Sequence, residues 1–322
     1  MRLSHTVISR IPAIATALLG GLVVTAGTLP ALAQPTMNQA KPEATLRTLM
    51  VNRAAARSVM AKVLGGHAYY TPVRGKPLPV MNVRPTRGIV PNAYSHDLTY
   101  YGGPTVTSES ANDLYVNCSS SCWGAPGNFL ANLTSNNFIH LLDQYTGSSA
   151  NGRYTYGGGI SESYDTSQTL QDQDIYNIVY AAASQYGTGY GHIYNVFLAS
   201  GVSQCSQAAG GCYGQQYCAY HGAVDFSDIG HTLYSVEPYQ GISGCTSPNG
   251  KLADSTNSTL SHEVFETITD PDVQTNVAWY NNSYGEIGDI CRFSYGYLTV
   301  GGTSFNLQKE YSNRYHRCTY SR

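Results

Sequence analysis

The segment Ser-His-Glu-Val-Phe-Glu-Thr-Ile-Thr-Asp-Pro-Asp, residues 261–272, limits the fold of this chain more than any other. It closes a helical stretch, Thr256–Thr269, that Asp270-Pro271 stops, because a residue before proline is pushed out of the helical region. Asp254, Ser255, Thr256, Asn257 and Ser258 offer N-caps at its start. Val264, Phe265 and Ile268 give it an apolar side suited to packing on a sheet. Residues four apart share a helix face, so His262 and Glu266 lie together, with Glu263 beside them and Asp270 beyond. Carboxylates crowded on a partly buried helix repel each other and resist desolvation, and a bound cation relieves that cost.

His262, Glu263 and Glu266 follow the logic of the H-E-x-x-H zinc hydrolases, with the second histidine replaced by glutamate. A catalytic zinc usually has three protein ligands and a water. The segment Gly-Glu-Ile-Gly-Asp-Ile-Cys, residues 285–291, supplies Glu286 and Asp289, and Glu286 lies 20 positions after Glu266. The expected metal ligands are therefore His262, Glu266 and either Glu286 or Asp289. Glu263 is the expected general base, taking a proton from a water that the metal acidifies. His231 or a tyrosine is expected to stabilise the oxyanion. His221 is a further candidate, and Trp279 and Tyr280 are placed to wall the pocket. The plainer reading of a lone histidine is a packed or surface side chain, and H-E-x-x-E can arise by chance on an acidic helix. Zinc (Zn²⁺) is the expected ion. A set this rich in oxygen also admits Ca²⁺ or Mn²⁺, and calcium would make the site structural.

The start of the chain reads as a secretory signal peptide, residues 1–33. Arg2, His5 and Arg10 precede an apolar run from Ile11 to about Val24, and Ala31-Leu32-Ala33 is a cleavage site. No later segment is apolar enough to span a bilayer, so no membrane association is expected after cleavage and the protein is expected outside the cell or in the periplasm. Eight cysteines in an oxidising space read as disulfides. They allow about 105 pairings, and the expectation taken here is Cys118–Cys122, Cys205–Cys212, Cys218–Cys245 and Cys291–Cys318. Sequons begin at Asn117, Asn132, Asn257 and Asn281. The formal net charge of −2, with 12% charged residues, excludes a basic nucleic-acid footprint. Tyrosine, at 27 residues, suits contact with a peptide or carbohydrate, and equally a tyrosine-rich sheet.

Residues 34–92, with their arginines and prolines, read as a linker or pro-region carrying one helix over Pro42–Leu64 that Gly65-Gly66 ends. The globular domain is expected over 93–322. Strands are expected at Leu98–Thr107, Asp113–Asn117, Ile193–Ala199 and Thr232–Val236. Helices are expected at Phe129–Tyr145 and Ser167–Tyr186, and the C-terminal third reads as β or loop. The fold class is α/β (α+β): one zincin-like, disulfide-stabilised domain with a mixed sheet and a central helix bearing the motif.

From about Tyr100 to Phe293 the chain resembles the phosphate-induced protein family, also called EXORDIUM-like. Y-Y-G-G-P-T-V-T-S (100–108) is similar to that family's opening strand, and Q-Y-C-A-Y-H-G (216–222) to its Y-C-G-W-H element. The likeness is most specific at residues 261–272, Trp279-Tyr280 and 285–291. Bacterial members carry H-E-L-x-E-A-x-T-D-P, W-Y-D and E-N-x-D-x-C there. His262, Glu263, Glu266, Asp270, Trp279, Glu286, Asp289 and Cys291 fall on those positions. Tyr101-Gly102 departs from the opening, where the family often has histidine, and Tyr220 stands in place of tryptophan. The resemblance implies secretion and, in plants, an apoplastic role in growth; it implies no particular reaction. Two functions are thus expected in competition. One is a secreted metallopeptidase acting on a peptide or cell-wall polymer. The other is a non-catalytic wall-binding protein with a structural ion.

Overall fold

The computed structural model describes residues 47–84 and 94–321; the expected signal peptide lies outside them. Seven strands form the central sheet: β1 (Arg47–Met50), β2 (Val63–Pro72), β3 (Glu109–Val116), β4 (Tyr154–Ser163), β5 (Gly189–Leu198), β6 (Tyr217–Phe226) and β7 (Gly230–Pro238). Their order is β1-β4-β3-β5-β7-β6-β2. The pairs from β1 to β7 are parallel, while β7–β6 and β6–β2 are antiparallel. The sheet is therefore mixed and mostly parallel.

Both faces are covered, as parallel strands require. Side chains alternate between the faces: Ala111 and Tyr115, with Ile193 and Phe197, enter one core, while Leu114 and Val116, with Tyr194 and Val196, enter the other. The second core is closed by helix α2 (Asp172–Tyr186), whose Ile175, Ile178, Val179 and Ala182 face it. In full order the three longer helices are α1 (Pro126–Leu133), α2 (Asp172–Tyr186) and α3 (Leu252–Thr269). A capping box between Gln171 and Asp174 starts α2. The first core is closed by α1, α3 and the hairpin β8 (Tyr295–Val300)–β9 (Thr303–Gln308).

Several expectations change here. The helix expected over 42–64 is, in its described part, strand β1, a short helical piece Ala56–Met60, and the start of β2. Gly65-Gly66 ends no helix but lies inside β2. A Cβ on Gly66 would fall 2.2 Å from the Tyr176 hydroxyl, so any larger residue there requires the Tyr176 ring of α2 to move. Residues read as linker or pro-region thus supply both edge strands. The helix expected over Phe129–Tyr145 breaks after Leu133 and resumes as a 3-10 turn, Asn137–Leu142, capped by Asn136. Of the strand expected at Leu98–Thr107, only Thr99–Tyr100 pairs, with Trp279–Tyr280. Helix α3 begins earlier than its candidate caps suggested. Lys251 is the N-cap without a side-chain bond, and Asp254 instead accepts from Asn249 Nδ2 (2.5 Å) and Asn306 N (3.0 Å).

The four disulfides pair as expected. Cys218–Cys245 ties β6 to the loop before α3, and Cys291–Cys318 ties the 285–291 segment to the C-terminal strands. The sequons at Asn257 and Asn281 are closed by burial, whereas Asn117 is exposed. No described helix is long and apolar enough to cross a membrane.

Candidate metal centre

Helix α3 lies on the β9, β6 and β7 elements and is buried along almost its whole length. Leu260, Val264, Phe265 and Ile268 join the core, and the Phe265 ring stands 4.6 Å from that of Phe138. From Asp254 on its other residues are polar, so they need internal partners. Thr267 and Thr269 donate back to Glu263 O (2.7 Å) and Phe265 O (2.9 Å). Ser258 Oγ accepts from Gln308 N at 2.8 Å, docking the hairpin on the helix. That leaves His262, Glu263 and Glu266, at most 1% exposed, facing inward together.

Strand β6 brings His221 onto this polar face. Its Nδ1 lies 3.4 Å from Glu263 Oε2 and 3.6 Å from Glu266 Oε2, and its Nε2 lies 3.7 Å from Glu286 Oε1. Glu263 Oε1 accepts from Thr71 Oγ1 of β2 at 2.6 Å. His262 Nε2 lies 3.0 Å from Glu266 Oε1, and Asp289 N donates to that same oxygen at 3.2 Å. Gln308 Nε2 donates to His262 Nδ1 (2.8 Å) and to Gly288 O (2.9 Å).

The 285–291 segment closes the site because two glycines let it approach. Gly285 has φ +85°, and a Cβ there would fall 2.3 Å from Asp289 Oδ2. A Cβ on Gly288 would fall 2.3 Å from His262 Nδ1. Asp289 Oδ2 accepts from Glu286 N at 3.2 Å, which turns both carboxylates inward.

Two triads result: His262–Glu266–Asp289 and His221–Glu266–Glu286, each with its ligand atoms within 4.8 Å of one another. Buried atoms lacking a hydrogen-bond partner gather here: His262 Nε2, His221 Nε2, Glu266 Oε2, both Glu286 oxygens and Asp289 Oδ1. Burial first, then neighbouring carboxylates, holds the Glu266, Glu286 and Asp289 carboxyls well above the usual range. Burial does the same to Asp270 and Glu310 nearby. Among the described residues no lysine or arginine pairs with the triads; their ion pairs run to His221 and His262. One imidazole and two carboxylates per triad fit a zinc-type ion. Calcium prefers an all-oxygen shell.

Each expected ligand is thus in the cluster, but His231 is elsewhere. Ser235 pairs with His221 across β7 and β6, and His231 stands four residues along β7 from Ser235. At about 3.3 Å per residue that is ~13 Å from the His221 position. Its ring pairs with Asp225 (2.8 Å) and Asp272 (3.1 Å), and these contacts, Asp272 foremost, raise its pKa. Trp279 and Tyr280 do not act as one wall. Trp279 Nε1 donates to Tyr145 O, while the Tyr280 hydroxyl lies 3.2 Å from that of Tyr69. Tyr69 pairs with His221 across β2 and β6, which places this phenol next to the acidic cluster; burial raises its pKa, and Asp289, Tyr280 and Glu286 add to it. A cleft lined by Thr71, Arg74, Arg292, Phe293 and Tyr295 reaches Gln308 and His262. His221, a further candidate in the sequence, lies on a strand that the sequence does not announce, because β6 is buried on both faces and lacks the alternation that marks a strand.

No family model matches this chain, and neither a curated protein nor a solved structure matches it.

Proposed function

We propose that this protein is a secreted metal-dependent hydrolase, a zincin-like peptidase kin to the phosphate-induced proteins, with Glu263 as its general base. The observation that carries the reading is the His262–Glu266–Asp289 triad, buried, with no lysine or arginine against it among the described residues and with His262 Nε2, Glu266 Oε2 and Asp289 Oδ1 lacking a hydrogen-bond partner. Those three residues would hold a zinc ion, which when bound acidifies a water and polarises a substrate carbonyl.

The chain's own groups divide the remaining work. Thr71 fixes Glu263 through Oε1, which leaves Oε2 to accept a proton and deliver it to the leaving group. His221 Nδ1, 3.4 Å from that oxygen, orients it. The Tyr69 hydroxyl, kept protonated by burial, is the donor for a developing oxyanion, the role the sequence suggested for His231 or a tyrosine. Gln308 presents a donor to His262 Nδ1, which leaves the ring proton on Nε2. Ligation through Nε2 would need the other tautomer, and the Gln308 amide supplies the acceptor for it only by turning over and giving up its bond to Gly288 O (2.9 Å). The cleft beside Thr71 and His262 is where a peptide or cell-wall polymer would enter.

The complete burial of Glu263 and Glu266 favours the competing reading, a wall-binding protein with a structural ion. The first test is the metal content of the purified mature protein beside His262→Ala. Bound zinc that the variant loses is expected. No transition metal, or calcium unaffected by the variant, would overturn the hydrolase reading.

A further inference from the structure

We infer that the centre takes two divalent transition-metal ions, with Glu266 bridging them. This rests on the metal reading above and extends it. The two triads share Glu266 alone and do not merge into one group. Zinc bonds of about 2.0–2.2 Å keep two ligands of one ion within ~4.4 Å of each other, so a single ion does not collect both triads as they stand.

The bridging carboxylate is already split between them. Glu266 Oε1 is the oxygen beside His262 Nε2 (3.0 Å) and the Asp289 backbone, and Oε2 is the oxygen beside His221 Nδ1 (3.6 Å). Paired ions in hydrolases sit about 3.5–4 Å apart, a span one carboxylate bridges.

The unmet atoms divide the same way. His262 Nε2 and Asp289 Oδ1 lie on one side; His221 Nε2, Glu266 Oε2 and both Glu286 oxygens lie on the other. An ion in the first triad alone leaves His221 Nε2, Glu266 Oε2 and the Glu286 carboxyl with no partner but the contact of Glu286 with Asp270. Charge points the same way. Glu263, Glu266, Glu286 and Asp289 are all at most 2% exposed and have no cationic side chain against them among the described residues. With Asp270 and Glu310 buried nearby, six carboxyls share this region, more negative charge when ionised than one divalent ion neutralises. Each half also has its own imidazole, so the pair does not depend on a shared histidine.

The test uses the full mature chain, stripped with chelator and reloaded with zinc, then desalted and assayed for metal by mass spectrometry. Two zinc ions per chain are expected. His262→Ala and Glu286→Gln should each retain one, and Glu266→Gln should retain fewer than either. On the wild type alone, Co²⁺ titration followed by electron paramagnetic resonance gives a check that needs no variant. The signal per cobalt should fall between the first and second equivalents as neighbouring spins couple. One zinc per chain, lost in His262→Ala but unchanged in Glu286→Gln, would overturn the two-ion centre and leave the hydrolase reading standing. No bound zinc would overturn both.

Discussion

Gly288→Ala is the sharpest probe of how the centre is assembled. Gly288 has φ −79° and ψ −40°, ordinary helical values, so alanine brings no backbone strain. The added Cβ would lie 2.3 Å from His262 Nδ1, 2.5 Å from Cε1 and 2.8 Å from Cγ, where ordinary contact begins near 3.4 Å. The imidazole must therefore retreat by about 1 Å, a movement that a close-packed interior does not absorb freely. The ring is 1% exposed and pinned by Gln308 at 2.8 Å and Glu266 at 3.0 Å. Overpacking of this kind costs about 1–3 kcal/mol. For a domain of this size each kcal/mol lowers Tm by about 2–4 °C. Disturbing only the support of a ligand weakens metal binding about 10–100-fold, and displacing the ligand itself should do at least as much. The assay is zinc competition with a chromophoric chelator, beside thermal melts with and without zinc. At saturating metal, a 100-fold weaker Kd removes about 2.7 kcal/mol of the stabilisation that zinc confers. Gly65→Ala, with nothing within 4 Å of its added Cβ, serves as the control. Wild-type zinc affinity at wild-type Tm in Gly288→Ala would refute the packing of the 285–291 segment on His262.

Two further outcomes follow from the rest of the fold. Glu162 is buried in β4 with both oxygens unpartnered, and burial raises its pKa well above the usual carboxyl value. A raised carboxyl pKa contributes stability below the unfolded value and loses it as pH climbs through the folded one. Glu162→Gln should therefore raise Tm at pH 8 and change it little at pH 4, in melts across that range; equal Tm values at pH 8 would contradict the burial argument. Replacing Cys291 and Cys318 together by serine opens a link spanning 27 residues, which should cost about 3–4 kcal/mol in denaturant unfolding. It should also weaken zinc binding, because Asp289 lies two residues from Cys291. Unchanged zinc affinity would show that the segment holds its place without the link.

Much of this arrangement was legible in the sequence, and the gaps have physical causes. The α3 pattern and its stop at Asp270-Pro271 depend on local periodicity and on proline sterics, both of which a single sequence records. So do β5 and β7, whose apolar runs are bounded by turns. The grouping of Glu286 and Asp289 with the helix followed from motif spacing. The N-terminal stretch, read as a helix over Pro42–Leu64, misled because its apolar spacing mimics a helical stripe, while the use of Gly66 depends on Tyr176, over a hundred residues away. His221 and His231 look equivalent in sequence. Only the register of β6 on β7 puts the first opposite Ser235 at the centre and the second at the strand end. The bond from Thr71 to Glu263 and the support of His262 by Gln308 join residues far apart in the chain, and no local pattern announces such pairs.

The central claim is that Glu263 is the base of a metal-dependent hydrolase. The most direct measurement compares zinc-loaded wild type with Glu263→Gln on a peptide library read by mass spectrometry, after both proteins are matched for Tm and metal content. Cleavage by the wild type that falls about 10²–10⁴-fold in the variant at equal zinc is the expected result. Cleavage undiminished in Glu263→Gln would contradict the assignment, and no cleavage by either protein would turn the account to the structural-ion reading.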